Sequence, residues 1–239
     1  TSSLKLMISS GAMFTTEVKR GLIDHVPELA IADVLGSTEG GMGQSIMTKD
    51  TPPSETAKFT LLPVAKVLLP DGSREVVPGS GEVGMVAQGG MVPLGYYKDP
   101  EKSAKTFKEI DGTRYAFIGD MATIDADGTI NLLGRGSNCI NTGGEKVFPE
   151  EVEEALKLHP DVADALVFGL EDERFGNRVA GVVSLEQGGT AEAGDILEAT
   201  RKLLASYKLP KDLLVVPVVP RAPNGKADYK SAKALMADS

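Results

Sequence analysis

The spacing of apolar runs between residues 60 and 133 limits the possible folds more than any other feature of this sequence. Short runs of valine, isoleucine and leucine alternate with tight-turn residues, among them Pro70-Asp71-Gly72 and Asp127-Gly128. Such spacing is typical of antiparallel strands joined by hairpins. We therefore expect a small, mostly antiparallel and barrel-like β subdomain in this stretch.

The segments on either side predict a different mixture of elements. We expect strands at 4–8 and 30–35, with a helix over 16–26 between them. After Gly134 the pattern predicts a helix from Pro149 to Pro160, strands near 164–168 and 178–184, a helix over 195–206 and a strand over 213–219. The expected fold class is therefore α/β with two domains: residues 1–133, which include the β subdomain, and a compact α+β domain over residues 134–239.

Composition and charge exclude several classes of function. The chain has 239 residues, of which 41% are apolar, and it contains no apolar run long enough to span a membrane. Cys139 is its single cysteine, so an intramolecular disulfide is impossible and a reducing, cytoplasmic location is expected. The formal net charge of −9 argues against nucleic acid as a partner.

The charge is unevenly distributed along the chain. Residues 145–173 carry ten acidic and two basic side chains, whereas residues 201–233 carry eight basic and two acidic ones. An acidic protein with a locally basic carboxyl-terminal region suits a small phosphate-bearing ligand better than a polyanion. Taken singly, most of these charges are better explained by a solvated helix face and a soluble tail.

Two glycine-containing motifs in the first domain carry groups suited to a nucleotide. Gly36-Ser37-Thr38-Glu39 follows an apolar strand, and its hydroxyl and carboxylate groups can bind a phosphate and Mg²⁺ respectively. Gly119-Asp120 places a carboxylate at the end of a predicted strand, where it can accept hydrogen bonds from both hydroxyls of a ribose. Taken alone, the first motif is more typical of a surface turn and the second of a strand cap.

Two more motifs lie in the second domain. The glycine clusters Gly134-Arg135-Gly136-Ser137 and Gly143-Gly144 include an arginine at the domain junction, and an elaborate loop without a ligand explains them equally well. Lys226 follows a tight turn and could meet a phosphoryl oxygen, although a solvated turn lysine is the simpler interpretation. Metal and catalytic-triad sites are not indicated, because the two histidines are far apart, the single cysteine has no partner, and no Gly-x-Ser-x-Gly motif exists.

Together, the order and spacing of these motifs resemble the carboxyl-terminal half of the adenylate-forming superfamily, which includes acyl-CoA synthetases, firefly luciferase and peptide-synthetase adenylation domains. The resemblance covers nearly the whole chain, and its most specific part is a long hinge signature. The matching segments are Gly36–Glu39, Gly81–Gly84 with Gly95-Tyr96, Gly119-Asp120, Gly134–Glu153, Ser206–Pro210 and Pro223–Lys226. Within the superfamily the chain is most similar to actinobacterial fatty-acyl or steroid-side-chain CoA ligases.

The resemblance implies an acyl-CoA ligase that uses ATP to convert a fatty or steroid-side-chain acid to an acyl-adenylate, releases AMP and forms a CoA thioester with Mg²⁺ as cofactor. The implied catalytic residues are Lys226, Glu39 and Thr38, with Glu39 as the Mg²⁺ ligand. The implied nucleotide-binding residues are Gly11, Ala12, Gly36, Ser37, Asp120 and Arg135. The second domain is then a mobile lid. Its implied hinge is Ser137, and its implied CoA-binding residues are Gly143, Gly144 and Lys146.

Departures from the family pattern limit what the resemblance implies. Leu35 replaces the aromatic residue that usually stacks on adenine, and Ser137 replaces the usual hinge Asp or Lys. The phosphate loop and much of the acyl pocket have no counterpart. We therefore expect a fragment of a longer protein, with the missing amino-terminal portion as its partner and little ligase activity alone.

Two other functions remain open at this point. One is a nucleotide- or CoA-binding module without catalysis, and the other is an acyl-AMP ligase that passes its product to a carrier protein. The acyl substrate is not identified. Gly40, Gly41, Met42 and Gly43 are expected near the pocket floor, where small residues would permit a long or bulky acyl group.

Overall fold

The structure is a computed structural model that describes residues 3–11, 14–51 and 55–237. The chain divides into two compact units, Thr1–Leu133 and Gly134–Ser239. Both units combine sheets with a few short helices. The mixed α/β fold class expected from the sequence is therefore confirmed.

The first unit contains nine of the strands that the structure describes and two helices. Its elements are β1 Leu6–Ser10, α1 Thr16–His25, β2 Ala30–Ser37, β3 Gly40–Met47, β4 Lys58–Leu61, β5 Ala65–Leu68, β6 Gly84–Gly89, α2 Pro100–Thr106, β7 Phe107–Ile110, β8 Thr113–Ile124 and β9 Thr129–Arg135. β9 ends two residues beyond the boundary between the units.

These strands form one open sheet. Its order is β1-β2-β3-β4-β9-β8-β6-β5, with β7 paired to β8. β1 and β2 are parallel, and the other pairs are antiparallel, as the Asp-Gly turns predict. The expected barrel-like closure is not seen in the described part of the chain, because β5 and β1 stand at opposite ends of this order.

Alternation of buried and exposed side chains explains why these segments form strands. In β2 the side chains of Ile31, Asp33 and Leu35 are buried, while those between them are partly exposed. The buried side chains of these strands pack against one another and form the main core of the unit. Its fully buried members include Met42, Val86, Ala122 and Ile130.

Helix α1 is tied to the sheet by a buried ion pair. The Thr15 hydroxyl caps the helix by accepting a hydrogen bond from the backbone N–H of Val18 at 3.2 Å. Lys19 Nζ lies 2.7 Å from Asp33 Oδ2 on β2, and the two side chains are only 2% and 6% exposed. Removal of either partner would leave the other charge buried and unpaired, which is strongly destabilising.

The second unit contains a smaller sheet and three helices in the part of the chain that the structure describes. Its elements are β10 Ile140–Thr142, β11 Glu145–Val147, α3 Pro149–Lys157, β12 Val162–Asp172, β13 Gly176–Leu185, α4 Ala193–Thr200, β14 Asp212–Val215 and α5 Tyr229–Ala237. The sheet order is β11-β10-β13-β12, with β14 parallel to β13.

Helices cover both faces of the β12–β13 hairpin. On one face, Val152 of α3 and Ile196 of α4 pack against Val167 and Val183. On the other face, Ala232 of α5 packs against side chains of opposite strand parity, including Phe168. Because successive strand residues point to opposite faces, one apolar hairpin forms two cores.

Several predicted elements differ from the observed ones. The first strand is β1 at 6–10 rather than 4–8, α4 ends at Thr200 instead of 206, and β14 ends at Val215, before Pro217. The sequence analysis did not predict β3, α2, the β10–β11 hairpin or α5. No described helix is both long enough and apolar enough to cross a membrane.

Candidate functional site

Glu39 lies at the apex of the two-residue turn between β2 and β3. Ser37 pairs with Gly40, so Thr38 and Glu39 alone connect the strands. The Tyr96 hydroxyl donates a hydrogen bond to Glu39 Oε1, and the Thr38 hydroxyl donates to Oε2 at 3.0 Å. The Ser37 hydroxyl oxygen accepts from the backbone N–H of Glu39 at 3.1 Å. The turn therefore holds the carboxylate in one direction.

The same contacts keep Glu39 ionised. Partial burial opposes the charged form, but hydrogen bonds from Tyr96, Ser37 and Thr38 outweigh it and lower the pKa of Glu39 to about 2. The carboxylate is consequently negative at neutral pH. It is only half-buried, so a ligand can reach it.

A single ionised carboxylate fits Mg²⁺ that is shared with phosphate oxygens. Mg²⁺ is commonly held by one or two carboxylates, with substrate phosphates and water completing its coordination. Among the described residues, no three His, Cys, Asp or Glu side chains cluster closely enough to hold a metal by themselves. The donor set at Glu39 therefore suits a metal that arrives with a nucleotide rather than a resident structural ion.

The parallel β1–β2 pair places other candidate residues at the same edge of the sheet. Ser10 at the end of β1 is in register with Val34, and its hydroxyl donates to the Val34 carbonyl at 2.8 Å. Gly11 follows β1, while Gly36 and Ser37 end β2. The carboxyl ends of parallel strands are a common position for ligand sites. Ala12, the remaining residue expected beside adenine, lies outside the described residues.

The glycines after Glu39 serve packing within the sheet. A Cβ on Gly40 would lie 2.8 Å from Gln88 Cγ, one on Gly41 would lie 3.3 Å from a Leu62 methyl, and one on Gly43 would lie 3.1 Å from the Thr60 carbonyl oxygen. The space beside these glycines is therefore already filled by protein atoms. These contacts explain why glycine occupies these positions, and the expectation that they leave room for a bulky acyl group stays a prediction.

Asp120 does not end a strand, so that prediction is also wrong. It lies inside β8, which continues to Ile124. Phe117 pairs with Ala87 and Met121 with Met85, so β8 has extra residues that form a bulge here. Gly119 at φ +96° supplies the left-handed backbone that the bulge needs. The bulge reorients Asp120, whose side chain is buried.

Arg135 and Ser137 lie where the second unit begins. Ser137 is in a single 3₁₀ turn, Gly136–Asn138, and is exposed. The backbone N–H of Arg135 lies 3.5 Å from Glu150 Oε1 on α3. A Cβ on Gly134, whose φ is +124°, would lie 2.1 Å from Glu150 Oε2. Residues with a side chain rarely adopt this φ, and a Cβ here would also displace the Glu150 carboxylate, so glycine is favoured at this position.

Gly143 and Gly144 form the tip of the β10–β11 hairpin. Their φ values of +58° and +91° match a type I′ turn, which favours glycine at both central positions. The Gly143 N–H donates to the Phe175 carbonyl at 3.0 Å, and a Cβ on Gly143 would lie 3.2 Å from the Phe175 ring. Lys146 on β11 is exposed. The predicted loop is thus an ordered hairpin backed by Phe175.

Lys226 lies in a turn whose backbone is well held. Its N–H donates to Asn224 Oδ1 at 3.2 Å, and its carbonyl accepts from the Ala222 N–H at 2.8 Å. Arg221, which anchors this turn, makes two hydrogen bonds to the Asp164 carboxylate at 2.7 and 2.9 Å. The Lys226 side chain is exposed, and no described carboxylate lies within ion-pair distance of its ammonium.

The candidate residues therefore fall into two sets. Gly11, Gly36, Ser37, Thr38, Glu39 and Asp120 belong to the first unit, whereas Arg135, Ser137, Gly143, Gly144, Lys146 and Lys226 belong to the second. Sequence reasoning assigned no role to Tyr96 or Phe175. Gly95-Tyr96 was visible as part of a motif, but its contact with Glu39 spans 57 residues of sequence and gives no local signal.

Comparison with known proteins shows which protein family the chain is similar to. Residues 151–226 match the family model of the AMP-binding enzyme C-terminal domain. The chain also superposes on ATP-bound MatB from Rhodopseudomonas palustris with a TM-score of 0.77 and 27% identity, covering 98% of this chain and 45% of MatB. The chain is therefore similar to the carboxyl-terminal part of adenylate-forming enzymes, as its motifs indicated.

Two related proteins are similar to the chain over nearly its whole length. The chain is 46% identical over 233 residues to the medium/long-chain-fatty-acid–CoA/3-oxocholest-4-en-26-oate–CoA ligase of Mycolicibacterium smegmatis. It is also 46% identical over 235 residues to the 3-oxocholest-4-en-26-oate–CoA ligase of Rhodococcus rhodochrous. Each alignment covers 97% of this chain but only 42% of the relative, so the chain spans less than half the length of these proteins.

Proposed function

We propose that this chain supplies the carboxyl-terminal part of an ATP-dependent acyl-CoA ligase acting on fatty or steroid-side-chain acids. The observation that carries the proposal is the Thr38–Glu39 turn, where an ionised and rigidly held carboxylate stands at the carboxyl edge of a parallel strand pair. The substrate class rests on the acids that the related ligases are named for, since the glycines near Glu39 do not argue for a large pocket.

The proposed reaction has two steps with different needs. A carboxylate oxygen of the acid first attacks the α-phosphorus of ATP, and pyrophosphate leaves with the electrons of the broken P–O bond. The CoA thiolate then attacks the acyl carbon, and AMP leaves. Negative charge concentrates around the phosphorus in the first step, so a nearby cation lowers its barrier.

Lys226 is the proposed source of that cation. Its turn fixes the backbone, and within the part of the chain that the structure describes no carboxylate lies within ion-pair distance of the ammonium. Thr38 is proposed to contact the α-phosphate, and Glu39 to hold Mg²⁺, which neutralises phosphate charge when bound. Asp120 and Arg135 are proposed to bind the ribose, with Gly11, Gly36 and Ser37 near the rest of the nucleotide.

The second unit is proposed to act as a lid that turns at Ser137. Gly143 and Gly144 would then line the CoA tunnel, with Lys146 beside it. The hairpin supports this proposal because its tip is a rigid turn with no side chain to obstruct a thiol. Two steps that need different groups at the same place explain why a lid would move between them.

The test uses the longest open reading frame that contains this chain, expressed and purified. ATP–pyrophosphate exchange with straight-chain acids and a steroid side-chain acid measures the first step, and release of acyl-CoA measures the whole reaction. The Lys226→Ala variant should lose about 10²–10³-fold in exchange. The Lys230→Ala variant, which removes another exposed lysine four residues away, should keep full exchange.

Three outcomes would contradict the proposal or redirect it. Nucleotide binding without exchange for any acid would indicate a binding module. Exchange that yields acyl-AMP but no CoA thioester would indicate an acyl-AMP ligase serving a carrier protein. Full ligase activity of the 239-residue chain alone would contradict the expectation that it needs further sequence.

A further inference from the structure

The hydroxyl of Tyr96 reaches the candidate metal ligand from a distant part of the chain. It donates a hydrogen bond to Glu39 Oε1, across 57 residues of sequence and within the first unit. The other oxygen, Oε2, accepts from the neighbouring Thr38 hydroxyl. Tyr96 therefore contacts this carboxylate from outside the turn itself.

The backbone around Tyr96 is built to hold it in place. Its N–H donates to the Ser103 hydroxyl oxygen at 2.7 Å, and that hydroxyl donates to the Asp99 carbonyl at 2.6 Å. A Cβ on Gly95 would lie 2.9 Å from the same hydroxyl oxygen, so this approach requires glycine. Asp99 also caps α2 by accepting from the Lys102 N–H at 3.0 Å. The residues at the start of helix α2 therefore hold the backbone of Tyr96 in place.

The ring of Tyr96 is fixed as firmly as its backbone. Its centroid lies 5.5 Å from that of Phe107 at an angle of 45°, and the Lys102 ammonium lies 4.0 Å from its face. Tilted aromatic pairs and cations over aromatic rings are both stabilising arrangements. Together these contacts leave the ring little freedom to turn, so its hydroxyl has one direction.

The adjacent tyrosine provides an internal comparison. Tyr97 is 88% exposed, and the Lys98 ammonium lies 5.2 Å from the centroid of its ring. Two consecutive tyrosines therefore differ sharply. Tyr96 is partly buried and its hydroxyl contacts Glu39, whereas Tyr97 is exposed to solvent.

We propose that Tyr96 is a positioning residue that orients Glu39 toward the metal–nucleotide complex. This inference rests on the proposed function, because it gives Tyr96 a purpose only if Glu39 binds Mg²⁺. Tyr96 holds Oε1 even when the Thr38 hydroxyl, which has a single proton to donate, turns from Oε2 to the α-phosphate. The carboxylate therefore keeps its direction, and each oxygen keeps a lone pair for a cation. Without the hydroxyl, a half-exposed glutamate at a turn apex would sample several rotamers and lose affinity for the metal.

The test compares Tyr96→Phe with Tyr97→Phe in the full open-reading-frame product. The first variant keeps the ring packing and removes only the hydroxyl. Free Mn²⁺ is measured by electron paramagnetic resonance in the presence of a non-hydrolysable ATP analogue, which requires no turnover. The Mg²⁺ concentration for half-maximal pyrophosphate exchange is measured in parallel.

We expect Tyr96→Phe to weaken Mn²⁺ binding and raise the Mg²⁺ requirement by roughly 10-fold, as for loss of a hydrogen bond to a charged group. Saturating Mg²⁺ should restore most of the rate, and Tyr97→Phe should match the wild type. In a Glu39→Gln background the Tyr96→Phe change should have no further effect. Should Tyr96→Phe not fold, Ser103→Ala replaces it, with a smaller shift expected because the tyrosine loses its anchor but keeps its hydroxyl.

Three results would overturn the inference: unchanged Mn²⁺ binding in Tyr96→Phe, an equal effect of Tyr97→Phe, or an undiminished effect in the Glu39→Gln background. Failure of the proposed function is distinguishable from all three. In that case the wild type shows no exchange with any acid, while Mn²⁺ binding still reports whether Tyr96 matters to Glu39.

Discussion

Glu39 and Lys226 both occupy tight turns, but their side chains differ in how the protein contacts them. Each oxygen of the Glu39 carboxylate accepts a hydrogen bond from a protein hydroxyl. The Lys226 turn is fixed through its backbone, and its ammonium has no described carboxylate near it. A metal ligand benefits from being oriented before the metal arrives. A cation that stabilises charge developing during a reaction would instead interact with that charge more weakly if a protein carboxylate were bound to it permanently.

A second comparison is between a buried ion pair and an exposed one. Lys19 and Asp33 are both buried and lie 2.7 Å apart, so each depends on the other. By contrast, Lys105 and Glu101 form an exposed pair on α2, with 73% and 80% of their side chains accessible. Burial therefore decides how much stability is lost when one member of a charge pair is removed.

The largest expected effect is on stability, from Asp33→Ala. This change leaves the Lys19 ammonium buried without a counter-charge, which should lower the free energy of unfolding by about 3–5 kcal/mol. Urea unfolding followed by circular dichroism measures it. The control is Glu101→Ala, for which a loss of less than about 0.5 kcal/mol is expected. Equal losses in the two variants would show that burial does not separate these pairs.

A second change tests whether the backbone at Gly134, where the second unit begins, requires glycine. Gly134→Ala places a methyl group 2.1 Å from Glu150 Oε2 and forces a φ of +124° on a residue with a side chain. A loss of about 2–3 kcal/mol in the free energy of unfolding is expected. Gly225→Ala is the control, because it has a positive φ but no atom within 4 Å, and about 1 kcal/mol is expected there. A smaller loss at Gly134 than at Gly225 would contradict the packing argument.

Glu153 makes stability depend on pH. Burial raises the pKa of this carboxyl to about 7, although the Val167 N–H donates a hydrogen bond to it at 2.9 Å. The unfolded chain ionises near pH 4.5, so its contribution is complete below that pH and is lost as the pH rises to about 7.

The measurement is the free energy of unfolding at pH 5 and pH 7.5 for the wild type and Glu153→Gln. The wild type should lose about 1–3 kcal/mol more than the variant over this interval, since one pKa unit corresponds to about 1.4 kcal/mol. The glutamine retains the oxygen that accepts from Val167 but does not ionise. Parallel pH profiles for the two proteins would rule out Glu153 as the source.

Sequence patterns predicted the elements that depend on local chemistry. Pro149 and the acidic residues after it identified α3, and the Asp-Gly turns identified the antiparallel strands. The bulge at Gly119 and the link from Tyr96 to Glu39 were not predictable in this way, because both depend on residues brought together by the folded sheet. The β10–β11 hairpin is different: Gly143-Gly144 is a known hairpin signal, but the strands it joins have only three residues each.

The smallest expected effect gives the sharpest test of the contrast between the two turns. Glu39→Ala removes hydrogen bonds from Tyr96 and Thr38, so a loss of about 1–2 kcal/mol in the free energy of unfolding is expected. Lys226→Ala removes an exposed side chain with no described ionic partner, so the change should be within about 0.5 kcal/mol. Both variants should nevertheless lose nucleotide chemistry, and differential scanning calorimetry beside pyrophosphate exchange separates the two properties. If Lys226→Ala unfolded as easily as Glu39→Ala, the ammonium would have a structural partner and could not be the free cation that the reaction needs.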